Sequence, residues 1–341
     1  TGTDSTMTVG EDLTVGGVGS TGTLTIANGG AVKVAGKTDI ASGAGSTGTL
    51  NIGSAAGDAP EAPGTLSSSS LAFGPGDGRL TFNHTDLSKN YSFDPAISGN
   101  GKIDHLAGYT TLTGDSSGFT GTMTVDGGTL AIQNKLGVKK SVGSPVSSGI
   151  GSAAGSNGTV IVTGAGETWT ESNAIDVGDL GTGTLLIENG GVVSSGSSAV
   201  GVDGTGTVTV TGMNSTWTNT GGFSVGQFTG TGTLTIADGG MVSTQTSARF
   251  GGAIPGNPNG RGTLTVTGTG STMTVGTDLT LGGAGTASTG TATIADGGVV
   301  NVAGNTTIAQ SAGSTGTFNI GSAAGDAPVA PGTLSSSSLA F

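Results

Sequence analysis

Polar and apolar residues alternate in short bursts along this chain, with turn-forming residues between the bursts. The hexad T-G-T-apolar-T-apolar, or a close variant, recurs at Thr21–Ile26, Thr47–Ile52, Thr182–Ile187, Thr205–Val210, Thr231–Ile236, Thr289–Ile294 and Thr315–Ile320. Looser forms begin at Asn157 and Arg261, and from 157 onward the starts fall every 23 to 30 residues. A period of two is the pattern of a strand that buries one face. In Thr21–Ile26 it places Leu24 and Ile26 inward and Thr23 and Thr25 outward. Two shorter apolar patches follow each hexad, as at Ala31–Val34 and Thr38–Ala41, separated by glycine-rich punctuation. An Asx-Gly-Gly turn recurs at Asn28, Asp126, Asn189, Asp238 and Asp296, and Asx-Gly supplies the positive φ of a sharp corner. Three short strands and three turns in roughly 25 residues describe one coil of a parallel β-helix, since such a coil buries its apolar face only by stacking on neighbours. Parallel crossovers favour the right hand. The expected fold is therefore all-β: a right-handed parallel β-helix, or solenoid, of about three strands per coil.

A longer repeat lies above the coils. Residues 1–73 match 267–341 at most positions, with a two-residue insertion at Ala287-Ser288, and both copies finish on GTLSSSSLAF. The expected organisation is one continuous solenoid: coils 1–73 as the first copy, 74–145 with divergent coils and longer loops, 146–266 as regular coils, and 267–341 as the second copy. The repeat pattern at both ends reads as a piece excised from a longer repetitive protein. The duplication also tests its own side chains. Asp4, Glu11, Lys33, Lys37, Asp39 and Glu61 become Gly270, Thr277, Asn301, Asn305, Thr307 and Val329, while apolar and glycine positions mostly persist. Those charges read as decoration of a solvated face.

Composition narrows the function classes. Glycine supplies 71 of 341 residues, about three times ordinary usage. It does not recur at every third position, which excludes collagen. Charged residues make up 9% and the net charge is −12. With three Arg and seven Lys there is little to neutralise phosphates, so nucleic acid is not an expected partner. The absence of cysteine removes disulfides, thiolate metal sites and a cysteine nucleophile. No stretch approaches the 18 or so apolar residues of a membrane-spanning helix.

One segment carries a family resemblance. TTLTGDSSGFTGTMTVDGGTLAI, Thr110–Ile132, resembles the passenger-associated β-strand repeat of type V autotransporters, and the TGTLTIADGG and TGTATIADGG coils at 231 and 289 resemble its companion repeat. The chain is thus similar to the passenger of a large adhesin of the AIDA type. The resemblance implies a stiff extracellular segment at the bacterial surface. It would be anchored through a C-terminal outer-membrane β-barrel elsewhere in the parent protein. Expected partners are host extracellular-matrix proteins such as fibronectin or collagen, host-cell receptors, or passengers on other bacteria through self-association. No cofactor is implied.

Chemistry-bearing motifs have plain structural readings beside them. Gly30–Thr38 is one residue too long for a P-loop, and its second copy replaces Lys37 with Asn305. Gly114-Asp115-Ser116-Ser117-Gly118 is an inexact match to a serine-protease nucleophile region, with His84 and His105 as the available bases. A calcium nonapeptide array lacks both its Asp and its period. A pectin-lyase-like enzyme acting on polysaccharide is the rival reading, and it needs Asp, Lys or Arg stacked on one face of adjacent coils. A pure spacer is the third. No catalytic, cofactor or metal residues are assigned, and the chain is expected not to be an enzyme. Trp169 and Trp217, in T-W-T triplets equivalent to the Met7 and Met273 sites, fit a core ladder or a ligand platform. The PxxP strings at Pro60–Pro63 and Pro328–Pro331 read as an exposed loop. Residues 74–145 hold both His and both Tyr, either as irregular coils or as a contact surface, because binding residues concentrate on loops carried by rigid scaffolds. The candidate contact residues are Lys89, Tyr91, Lys102, Tyr109, Lys135, Lys139 and Lys140.

Overall fold

The computed structural model describes residues 1–138, 147–252, 259–284, 287–322 and 325–341. Every pairing between its strands is parallel, no helix occurs among the described residues, and the chain winds as a right-handed-type solenoid of about 12 turns with about 26 residues per turn. The alternation of the hexads is borne out as a β-solenoid. Two compact units are formed, one from Thr1–Ser148, Gly158–Val160 and Thr168–Ser172, the other from Gly149–Asn157, Ile161–Glu167 and Asn173–Phe341.

In the second unit the three strands of each coil make three sheets. The hexads align as Thr182–Glu188, Thr205–Thr211, Thr231–Ala237, Arg261–Thr267, Thr289–Ala295 and Thr315–Ile320, residue opposite residue with no bulge. Leu185, Val208, Leu234, Leu264 and Ala292 form one buried column, and Ile187, Val210, Ile236, Val266 and Ile294 the next. The second hexad position is glycine for a steric reason. A β-carbon at Gly232 would press on the Val200 carbonyl oxygen and stand 2.6 Å from the Gly226 nitrogen, because this position faces the corner where the neighbouring sheet turns. Gly226 makes that corner with φ 72°, a conformation costly for residues with a β-carbon. Trp217 is fully buried, edge-on to Phe223 at 5.0 Å, with its indole N–H donating to Ser195 Oγ at 3.2 Å. Met273 is buried in the same sheet. The second sheet therefore holds a core ladder at these positions.

The first unit begins with the same coil type. Thr21–Ile26, Thr47–Gly53, Asp77–Asn83, Lys102–Ala107 and Thr122–Val125 stack into one sheet. Ser92–Phe93, Tyr109–Leu112 and Gly127–Ile132 stack into another, and Trp169 lies buried opposite Leu136. Met7, on the outermost strand of its sheet, is 42% exposed. Asn28 adopts the left-handed conformation at φ 54°, as do Asn189, Asp238 and Asp296 in the second unit. Asp126 does not, and the positive φ there belongs to Gly128, where the chain passes directly into Gly127–Ile132.

The proline loops are exposed but anchored. Asn28 and Gly29 donate their N–H groups to the Ala62 and Pro63 carbonyls at 2.7 and 3.1 Å, and Asp296 and Gly297 bond Ala330 and Pro331 in the same way. Each loop thus lies back over the Asx turn of the preceding coil. Backbone groups make the contact common to both copies; in the first, Asn28 Nδ2 also donates to the Glu61 carboxylate at 3.0 Å, a bond that Val329 cannot replace.

Candidate functional site

The irregular coils of the first unit gather the residues singled out between 74 and 145. Lys102 pairs in register with Arg79, and Asp104 with Thr81. These outward neighbours let the nearly buried Asp104 carboxylate sit between two cations, 3.2 Å from Arg79 Nη1 and 3.2 Å from Lys102 Nζ. Lys102 therefore spends its charge inside the unit. Lys135 stands 3.9 Å from Asp115 across an exposed pair of the kind worth little energetically. Hydrogen bonds from Ser117 hold the Asp115 carboxyl below its ordinary range.

Tyr91 also turns out to be an internal tie. Its phenol donates to the Gly64 carbonyl at 3.0 Å and its ring lies 4.9 Å from the His84 ring. Burial, reinforced by Asp94 and Asp86, pushes that phenol above the usual range. Lys89 sits on the loop before it in the left-handed conformation, with Nζ 5.7 Å from the centre of the Tyr109 ring. A cation over an aromatic face at an exposed site contributes roughly 0.5–1 kcal/mol. Lys89 and Tyr109 are thus brought together, while Lys102, Lys135 and Tyr91 are held apart on separate partners. Lys139 and Lys140 lie outside the described residues.

The feature that sequence reasoning missed is a buried chain joining both histidines through Thr110. His84 Nε2 is 2.8 Å from Thr110 Oγ1, His105 Nε2 is 3.1 Å from the same oxygen, and His105 Nδ1 is 2.7 Å from the Gly127 carbonyl. His84 is 1% exposed and His105 0%. The Gly127 carbonyl only accepts, so Nδ1 of His105 carries the proton and its Nε2 accepts. The Thr110 hydroxyl then donates to His105 and accepts from Nε2–H of His84. That leaves Nδ1 of His84 as a bare lone pair, consistent with its lack of a partner. Both rings are neutral in this arrangement. Desolvation lowers His84 to about 4 against the pull of Asp86, and lowers His105 to about 4 against the pull of Gly127.

Ser116 is buried in its own loop, where its hydroxyl accepts from the Ile97 N–H at 2.9 Å and donates to Gly114 O at 3.3 Å. The hydrogen bonds of the two histidines go to Thr110 and Gly127, so the protease-like string and the two bases serve separate structural contacts. No group of three or more His, Cys, Asp or Glu side chains suited to a metal ion occurs among the described residues. Only the count of histidines in this segment hinted at the Thr110 chain.

No family model matches this chain. It is 29% identical over 195 residues to the uncharacterized protein YuaQ of Escherichia coli K12, an alignment covering 56% of this chain and 12% of that protein. It is 35% identical over 122 residues to the uncharacterized lipoprotein YdeK of the same organism, covering 34% of this chain and 9% of YdeK. The chain thus spans only a small part of both relatives. No solved structure matches.

Proposed function

We propose that this chain is a surface-exposed passenger segment of a bacterial autotransporter adhesin, serving as a stiff element that presents side chains to a partner. The observation that carries this reading is the solenoid itself, with apolar columns closed inside and Thr, Ser and Asn on its outer faces. Weak contacts repeated on successive coils would be multiplied by many copies at one surface. The partner class is a host extracellular-matrix protein or cell receptor, with self-association between bacteria as a variant. The place of action is the bacterial surface, reached through other parts of the parent protein. The reading is non-enzymatic. The exposed Lys89 ammonium, lying over the Tyr109 ring, is the first contact point to test.

The test is binding of the whole chain to immobilised fibronectin, collagen and laminin and to cultured cells, with Lys89→Glu alongside. Saturable binding reduced by the substitution supports adhesion. Absence of saturable binding to all of them favours the spacer reading, which the internal engagement of Lys102, Lys135 and Tyr91 already supports. The Arg79–Asp104–Lys102 stack on adjacent coils is the one observation favouring a polysaccharide-acting enzyme. Release of unsaturated uronate from pectin or polygalacturonate, lost in Arg79→Gln, would establish that alternative.

A further inference from the structure

Among the described residues of the second unit, the outward face of the hexad sheet is set apart by its threonines. Its third-position column reads Thr184, Thr207, Thr233, Thr263, Thr291 and Thr317 without interruption. The adjoining fifth-position column holds Thr209, Thr235, Thr265 and Thr293, flanked by Leu186 and Asn319. Neither column contains a charge; Glu188, Arg261 and the Asp238 and Asp296 carboxylates, which accept from Thr211 and Thr267, stand on the margins of the field.

Strand propensity alone does not produce this uniformity. The second sheet of the same unit carries Val192, Thr216, Met241, Thr272 and Val299 along one outward column. The third sheet carries Asp176, Ala199, Ser224, Arg249 and Thr280. The third sheet thus accepts charge, and the second mixes large apolar residues in that column with a neutral polar column of Ser194, Thr218, Ser243, Thr274 and Asn301, so the hexad face is set apart by threonine in both of its columns.

Its geometry is a two-dimensional lattice. Threonines two apart on a strand are about 6.6 Å apart, and those on adjacent strands about 4.8 Å apart. The residue-for-residue register, free of bulges over five successive pairings, carries this lattice across six strands. Each lattice point offers one hydroxyl and one methyl on a side chain whose first torsion is stiff. The hydroxyls of Thr207, Thr209, Thr233, Thr235, Thr263 and Thr265 are partly exposed and none of them bonds another protein group. A matching partner is uncharged, periodic in both directions on this scale, and able to donate and accept hydrogen bonds at every point. Sugar polymers are instead gripped through aromatic rings stacked on their apolar faces and through planar carboxylates or amides. The central columns contain no aromatic and no carboxylate.

We propose that the hexad face of the second unit is an ice-binding surface, with the two threonine columns ordering water into register with the oxygen lattice of a growing ice crystal. The proposal holds whether the chain adheres to a host or only spaces. The experiment measures thermal hysteresis, ice-crystal shaping and retention of the whole chain in a slowly grown ice hemisphere. It compares the unaltered chain, the double variant Thr235→Tyr with Thr265→Tyr, and Ser243→Tyr on the second sheet. All three positions point outward, and circular dichroism checks that each variant keeps its strands. The expected result is faceted crystals and a hysteresis gap for the unaltered chain and for Ser243→Tyr, with loss of both in the double variant. Unshaped crystals with the unaltered chain, equal activity in the double variant, or retention on crystalline chitin or cellulose without retention in ice would each overturn it.

Discussion

Acidification tests the histidine chain of the first unit directly. The Thr110 bridge works only with both rings neutral. A proton on His84 places an N–H on a buried Nδ1 that has no acceptor, and a proton on His105 turns its Nε2 into a donor and takes away the acceptor of the Thr110 O–H. The folded values are about 4, against 6.5 for an unconstrained histidine. The unfolded state therefore binds protons first, so stability is complete above pH 6.5 and falls as the pH drops toward 4. Two and a half units correspond to about 3 kcal/mol for each ring, and up to about 6 kcal/mol for the pair. That is comparable with the whole stability of an ordinary domain. Asp86, whose carboxyl is lowered by bonds from Ser88, loses its contribution only below its normal value of 3.8, outside this window.

Hydrogen exchange read by mass spectrometry, corrected for intrinsic rates, measures this locally. Peptides spanning 77–132 should lose protection between pH 6.5 and 4.5, while peptides spanning 231–295, which contain no histidine, serve as the internal reference. Coil-by-coil stability in solenoids makes such a local loss visible. Thr110→Val should lower protection at neutral pH by about 1–3 kcal/mol, because it strands two buried ring nitrogens, while the pH dependence persists, since burial and not the hydroxyl holds both rings neutral. Equal pH dependence in the two regions, or imidazole proton resonances titrating near 6.5 in the folded chain, would refute the assignment of neutral rings.

Other substitutions probe the second unit. Trp217→Ala removes a fully buried ring packed on Phe223 and should cost about 3–5 kcal/mol in urea unfolding of that unit. Gly232→Ala drives a methyl into the Val200 carbonyl and should cost at least about 2 kcal/mol, whereas Gly10→Ala, with open space around it, should leave the unfolding midpoint unchanged. Asp179 is raised by burial and by its neighbour Asp203, so it opposes folding at neutral pH. Asp179→Asn should therefore raise the thermal midpoint at pH 7, and the gain should vanish near pH 3 where the carboxyl is already protonated.

The hexads and the Asx turns were legible because each is dictated within a few residues. Alternation puts Leu234 and Ile236 inside, and a corner without room for a methyl demands Gly232. The site between 74 and 145 was legible only as a list of residue types. His84 meets Thr110 across 26 positions and Tyr91 reaches Gly64 across 27, separations set by the lengths of irregular coils. Nothing local to Tyr91 marks it as an anchor, and nothing local to Lys102 says that Arg79 stands beside it on the next strand. The candidate cations thus looked like a surface cluster because their shared partner, Asp104, becomes visible only once the register is known.

The internal duplication separates what the outer faces keep from what they discard. Six charges of the first copy are absent from the second, yet Thr23, Thr25, Thr49 and Asn51 reappear as Thr291, Thr293, Thr317 and Asn319. Strand propensity would favour a β-branched residue over asparagine at the last of these positions. The asparagine is kept, and in each copy its amide donates to the hydroxyl on the preceding coil, Asn51 to Thr25 at 3.1 Å and Asn319 to Thr293 at 3.2 Å. Side-chain hydrogen bonding on the hexad sheet has therefore persisted, as it has at Asp12 and Asp278, which accept from Lys37 N and Asn305 N, while six other charges have gone. A face selected only for solubility would show the opposite preference, since charge serves that purpose better than hydroxyls. What the two copies share on these strands is hydrogen-bonding geometry supplied by neutral side chains.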